Sequence, residues 1–102
     1  MKNIDVCGMY THLCCADSLE PENILYTKEQ INSFYKLAYT LEKRGIKMPA
    51  LHIQSSYGIL NYPGLKAGYA RAGIALYGVL SSPGDKTVAD PGLRPVLSIK
   101  SK

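Results

Sequence analysis

Three short segments of this 102-residue chain carry side chains able to do chemistry. The first ends in His12; the second, His52-Ile53-Gln54-Ser55-Ser56, offers an imidazole and two adjacent hydroxyls; the third, Arg71-Ala72-Gly73-Ile74, offers a cation followed by a glycine. An imidazole acts as acid, base or hydrogen-bond relay near neutral pH. A serine at a helix start, joined by backbone amides that a glycine leaves approachable, makes a seat for an anion such as phosphate. Arginine keeps its proton and donates through a rigid fork. Each group also has a plain structural use: a serine at a helix start is above all a capping device, a strand-end histidine is commonly a hydrogen-bonded structural residue, and Arg71 can serve as an ion-paired arginine on a sheet.

Other candidates carry less. His12-Leu13-Cys14-Cys15-Ala16-Asp17 holds four potential metal ligands but lacks the spaced Cys-x-x-Cys pairs that let a loop wrap a tetrahedral ion, so no metal site is expected. Tyr35 and Tyr39 lie at helical spacing and read as packing residues with a wet hydroxyl. Lys66, Lys86 and Lys100 have no surroundings that would lower a pKa, and none is expected to be a nucleophile.

The elements that must position these groups follow from hydrophobic spacing and breakers. Residues 4–12 mix β-favouring and small residues and predict a strand, followed by a polar loop through Pro21. From Thr27 the period becomes helical, with Ile31, Phe34, Tyr35, Ala38 and Leu41 on one side; Thr27 with Gln30 has capping-box spacing, and Lys43-Arg44-Gly45 is a helix-end signature. Residues 49–54 predict a second strand, Ser55 or Ser56 caps a short helix, and Asn61-Tyr62-Pro63-Gly64 breaks it. Residues 69–71 read as a third strand running into Gly73 to Gly78, residues 81–92 as a connector, and residues 96–101 as a further strand that begins a second, β-rich domain cut short. The β-α-β-α-β order predicts an α/β architecture of parallel strands joined right-handedly, with functional groups gathered where strands end.

Composition narrows the classes. With 46% hydrophobic and 20% charged residues the chain is an ordinary globular sequence, and no apolar run approaches the roughly 20 residues of a membrane span. Met1-Lys2-Asn3-Ile4-Asp5 lacks a signal-peptide layout, so a cytoplasmic location is expected. Twelve Lys and Arg against eight Asp and Glu leave +4, spread without a run, which argues against a nucleic-acid partner. Cys7, Cys14 and Cys15 are an odd number, two of them adjacent, and are expected to be reduced thiols.

Gly8-Met9-Tyr10-Thr11-His12 with Ala16-Asp17, then His52-Ile53-Gln54-Ser55-Ser56, then Arg71-Ala72-Gly73-Ile74-Ala75-Leu76-Tyr77-Gly78 resemble, in order, three blocks of the pyridoxal-phosphate-dependent alanine racemases. The resemblance implies a partial TIM-type (β/α)8 barrel: residues 1–80 as its last three β/α units, and residues 81–102 as a linker into a C-terminal β domain. Where the family usually has His-x-Ala-Asn-Ser, this chain has Gln54 and Ser55, which looks like the serine/alanine racemase branch associated with vancomycin resistance. Members of that branch carry a membrane domain ahead of the racemase region, so a parent protein anchored that way is a further expectation, although this chain holds no membrane segment.

Carried over by position, the resemblance implies that Arg71 donates to the pyridine nitrogen of pyridoxal 5′-phosphate, that His12 and His52 belong to the hydrogen-bond network around that arginine, and that Ser56 with the amides of Gly73 and Ile74 holds the phosphate. An arginine does not protonate the ring, so the ring is a weaker electron sink than one facing an aspartate, which suits racemisation over transamination or elimination. The implied parent is an isomerase, expected to be homodimeric, interconverting L- and D-alanine or L- and D-serine for cell-wall precursors. The family's Schiff-base lysine and tyrosine base match no position here, so the chain alone is expected to be inactive. Two further expectations stand beside this one: a non-catalytic cofactor-homeostasis relative of the same barrel superfamily, and a degenerate remnant.

Overall fold

A computed structural model describes residue 3, residues 5–47 and residues 50–101; Ile4 and Pro49, at which the two predicted strands begin, lie outside the described residues. Strand β1 (Gly8–Tyr10) pairs in parallel with β2 (Ala50–His52), in the register Gly8 to Ala50, Met9 to Leu51 and Tyr10 to His52. Alternation along a strand then sorts the side chains. Met9 and Leu51 turn to the core, while Gly8, Tyr10 and His52 share the opposite face.

Helix α1 (Pro21–Lys43) connects the two strands and begins well before Thr27. Pro21 reads as a breaker, yet a proline is tolerated at the first helical position, where its missing N–H has no partner to lose. Ser18 organises that start: its Oγ accepts from the Glu20 amide at 3.2 Å and from Asn23 Nδ2 at 2.9 Å. The predicted capping box at Thr27 and Gln30 is therefore absent, and Thr27 is instead a wholly buried mid-helix residue on the stripe completed by Ile31, Phe34 and Ala38. The other end is as the sequence predicts: Lys43 lies in the last turn and Gly45 takes φ +77°, the left-handed geometry that stops a helix.

The core lies between α1 and the strands. Leu13 and Ala16 from the β1 to α1 loop, Ile31 and Phe34 from α1, Ile53 and Tyr57 form one buried cluster, and Ile53 has no exposed surface. On its border the Tyr35 hydroxyl donates to the Lys66 carbonyl at 2.9 Å, and burial pushes the phenol above its ordinary pKa. A raised folded value means that the neutral phenol is favoured by folding, so this contribution is present below pH about 10 and is lost as pH rises through the folded pKa. Tyr35→Phe is expected to be less stable than wild type at pH 8, by about 0.5–1.5 kcal/mol for one neutral hydrogen bond. That gap should close above pH 10 in urea titrations, and parallel pH profiles would contradict it.

After β2 the chain enters α2 (Ser56–Asn61). Gln54 Nε2 returns to its far end, donating to the carbonyl of Gly58 at 3.2 Å, which also accepts from the Tyr62 amide at 3.1 Å, and to that of Tyr62 at 2.9 Å. Two predicted strands are reduced or missing. Residues 69–71 contribute a single parallel bridge, His52 to Tyr69, and a 3₁₀ turn over Ile74–Tyr77 follows. Residues 96–101 form no ladder: Val96 donates one backbone bond to Tyr77 at 3.1 Å, and Ile99 is 93% exposed. Alternating sequence makes a strand only where a neighbouring strand takes its N–H and C=O groups, and among the described residues no strand lies beside residues 96–101. The radius of gyration, 16.6 Å, exceeds the about 13 Å of a compact chain of this length. Among the described residues no helix is long and apolar enough to cross a membrane.

Candidate functional site

Parallel pairing sets three strand ends side by side. Thr11 follows β1 and its amide donates to the His52 carbonyl at 3.1 Å; the Arg71 amide, two residues past the Tyr69 bridge, donates to the Gln54 carbonyl at 2.8 Å. The loops leaving these ends face one another. They enclose a cavity of about 360 Å³ whose walls include His12, Asp17, Ser55, Ser56, Gly73 and Ile74.

Ser56 is the pivot of that cavity. Ser55 occupies the N-cap position of α2 in extended geometry, but no side-chain hydroxyl caps the helix. The buried Ser56 hydroxyl instead accepts from the amide of Gly73 at 2.9 Å and from that of Ala75 at 3.2 Å. The donors that converge there are thus those of Gly73 and Ala75, with Ile74 on the cavity wall between them. A hydroxyl able to rotate, beside main-chain donors at a glycine, suits a tetrahedral anion.

Arg71 lies beside Thr11, where Nη2 donates to the carbonyl at 2.9 Å and the guanidinium carbon stands 5.1 Å from the centre of the Tyr10 ring. Its other terminal nitrogen, Nη1, is buried and has no hydrogen-bond partner among the described residues. An unpaired buried donor on a permanent cation is costly, and it marks a place for an acceptor that the fold itself does not supply.

The two histidines separate. His12 is exposed and lines the cavity with Ser56 and Gly73, whereas the His52 ring packs on Tyr69, centroids 5.2 Å apart, near Gly8. Among the described residues neither imidazole is hydrogen-bonded to Arg71. The structure adds a residue that spacing assigned elsewhere: Gln30 Nε2, from α1, donates to the His12 carbonyl at 2.7 Å and to Thr11 Oγ1 at 3.1 Å, and so fixes the loop that receives Arg71. Tyr10 and Tyr69 also belong to this neighbourhood. Spacing alone singles out neither, because exposed aromatic residues occur on any sheet.

Residues 1–81 match the family model described as the N-terminal domain of alanine racemase. An amino-acid racemase of Enterococcus faecalis is 42% identical over 102 residues, covering all of this chain and 14% of that protein. A serine/alanine racemase of Enterococcus gallinarum is 40% identical over 97% of this chain and 14% of its own length. In three dimensions an alanine racemase of Clostridium difficile 630, solved in complex with cycloserine, aligns with a TM-score of 0.68 at 35% identity, covering 78% of this chain and 20% of that one. An alanine racemase of Corynebacterium glutamicum aligns over 89% of this chain and 23% of its own, with a TM-score of 0.62 at 30% identity. The chain therefore spans about one-seventh of the length of these two enterococcal relatives.

Proposed function

Because this chain belongs to the alanine racemase family, whose fold is of the α/β barrel class, we propose that it forms the part of a pyridoxal-phosphate-dependent amino-acid racemase that grips the cofactor's phosphate and ring nitrogen. Residues 1–80 are read as the last three β/α units of the barrel, and residues 81–102 as the passage to a C-terminal β domain. The observation that carries the reading is the buried Nη1 of Arg71, without a hydrogen-bond partner among the described residues, on a cation fixed by its other nitrogen to Thr11.

When bound, pyridoxal phosphate supplies the electron sink that lets an amino acid lose its α-proton. This chain's own residues bind and orient. Ser56 and the amides of Gly73 and Ile74 hold the phosphate, for which the Ser56 hydroxyl would turn from its present amide partners. Arg71 directs Nη1 at the ring nitrogen and keeps its proton, since a guanidinium does not give one up near neutral pH. His12 and His52 stand at the border of this arrangement as polar supports. Proton transfer at the substrate carbon belongs to the family's lysine and tyrosine, which match no position in this chain. The parent reaction is interconversion of L- and D-alanine or L- and D-serine, the latter supported by the Enterococcus gallinarum relative.

Titration of the chain with pyridoxal 5′-phosphate and with pyridoxal, followed by cofactor fluorescence, separates the phosphate seat from hydrophobic adsorption. The phosphate form is expected to bind at least about tenfold more tightly, the equivalent of one charge-assisted hydrogen bond. Equal affinities would overturn the assignment of Ser56 and Gly73.

A further inference from the structure

We propose that Cys14 and Cys15 form a vicinal dithiol site that captures trivalent organoarsenicals, with one arsenic atom bridging both sulfurs at the rim of the cavity. The proposal does not depend on the cofactor reading. Both cysteines are free thiols, Cys14 exposed and Cys15 half-buried, and their sulfurs lie 4.0 Å apart. The neighbours hold this placement: Leu13 and Ala16 are core residues, 3% and 2% exposed, so the chain is pinned on both sides of the pair while the two thiols stay outside the core. A turn closed by the Ser18 amide on the Cys15 carbonyl at 3.3 Å adds to the constraint.

Geometry and valence select the ligand. A disulfide needs sulfurs at about 2.05 Å, half the observed separation. A soft atom bonded to sulfur at about 2.3 Å, the length of a zinc–thiolate bond, reaches both sulfurs across the gap. Tetrahedral zinc requires four donors, and among the described residues no group of three or more His, Cys, Asp or Glu could hold a metal. An organoarsenical already has one valence taken by carbon and asks the protein for two sulfurs only. The step balances without an oxidant or reductant: R–As=O and two S–H groups give R–As(S)2 and water, the arsenic–oxygen bonds and both S–H bonds breaking as two arsenic–sulfur bonds form. Burial, with Cys14 and Asp17 nearby, pushes the Cys15 thiol up, which favours the S–H form that this condensation consumes at that sulfur.

The test is phenylarsine oxide added to the full chain, read by intact mass spectrometry and by mapping the adduct to a peptide. One arsenical per chain is expected on the Cys14-Cys15 peptide, stable to glutathione and released by dithiothreitol. Cys14→Ser and Cys15→Ser should each shorten retention in glutathione by roughly 100-fold or more, because the second bond is intramolecular, while Cys7→Ser should retain the adduct. An adduct mapped to Cys7, or retention unchanged in both variants, would overturn the proposal. The peptide map decides the matter on the wild-type chain even if a variant folds poorly.

Discussion

Replacing Arg71 by leucine is expected to weaken pyridoxal phosphate binding by roughly 10- to 100-fold while moving the stability of the free chain by no more than about 2 kcal/mol. Two opposed effects produce the second half of that result. The substitution removes the Nη2 bond to the Thr11 carbonyl at 2.9 Å, a hydrogen bond from a charged donor worth about 1.5–3 kcal/mol. It also removes Nη1, a buried donor with no partner among the described residues, whose desolvation costs about 1–3 kcal/mol in the wild type. In the bound state there is no such cancellation, because Nη1 then has its acceptor. Arg71→Lys tests the geometry separately: it keeps the charge but gives up the fork that allows one nitrogen to hold Thr11 while the other faces the ligand. Urea titrations of the free chains and fluorescence titrations with the cofactor read the two quantities. A large stability loss with unchanged affinity would make Arg71 a structural residue and would remove the basis for the ring-nitrogen contact.

What the sequence makes legible is local. The stripe of Ile31, Phe34 and Ala38 and the stop at Gly45 follow from helical period and from the backbone freedom of glycine, and both are present. The helix start is misread because Pro21 has two meanings, breaker and first helical residue, and only the Ser18 contacts to Glu20 and Asn23 distinguish them. Strand lengths are misread because pairing is a property of neighbours. The third strand shrinks to the Tyr69 bridge, and residues 96–101 form no strand ladder. At the site, residue types and strand ends identify Ser56, Gly73, Ile74 and His12 as neighbours of one cavity. They do not reveal that Ser56 looks away from its own helix to the amides of Gly73 and Ala75, nor that Gln30, nearly twenty residues along the chain, anchors Thr11 and His12. The Gln30 contacts arise from the crossover of α1, and those of Ser56 from the approach of the loop after Arg71, so both depend on tertiary packing rather than local sequence.

Ile53→Ala should therefore act on the site through the core and is expected to have the larger effect on stability, about 2–5 kcal/mol. Ile53 is completely buried within a cluster of six side chains and stands between His52 and Gln54, so the cavity left by its loss lies directly under the segment that leads to Ser56. Small domains have only about 5–15 kcal/mol in total, and this elongated chain, with Tyr10, Tyr69 and Leu76 each more than 60% exposed, has little other apolar burial to compensate. Ile53→Val removes one methylene and should cost about 0.5–1.5 kcal/mol. Because a disordered Ser56 cannot accept from Gly73 and Ala75, the alanine variant should also lose cofactor binding, whereas the valine variant should keep it. Thermal unfolding by circular dichroism, run beside the fluorescence titration, distinguishes this from a local effect. If Ile53→Ala unfolds at the wild-type temperature, the buried cluster does not hold the strand ends together, and the alignment of Ser56 with Arg71 needs another cause.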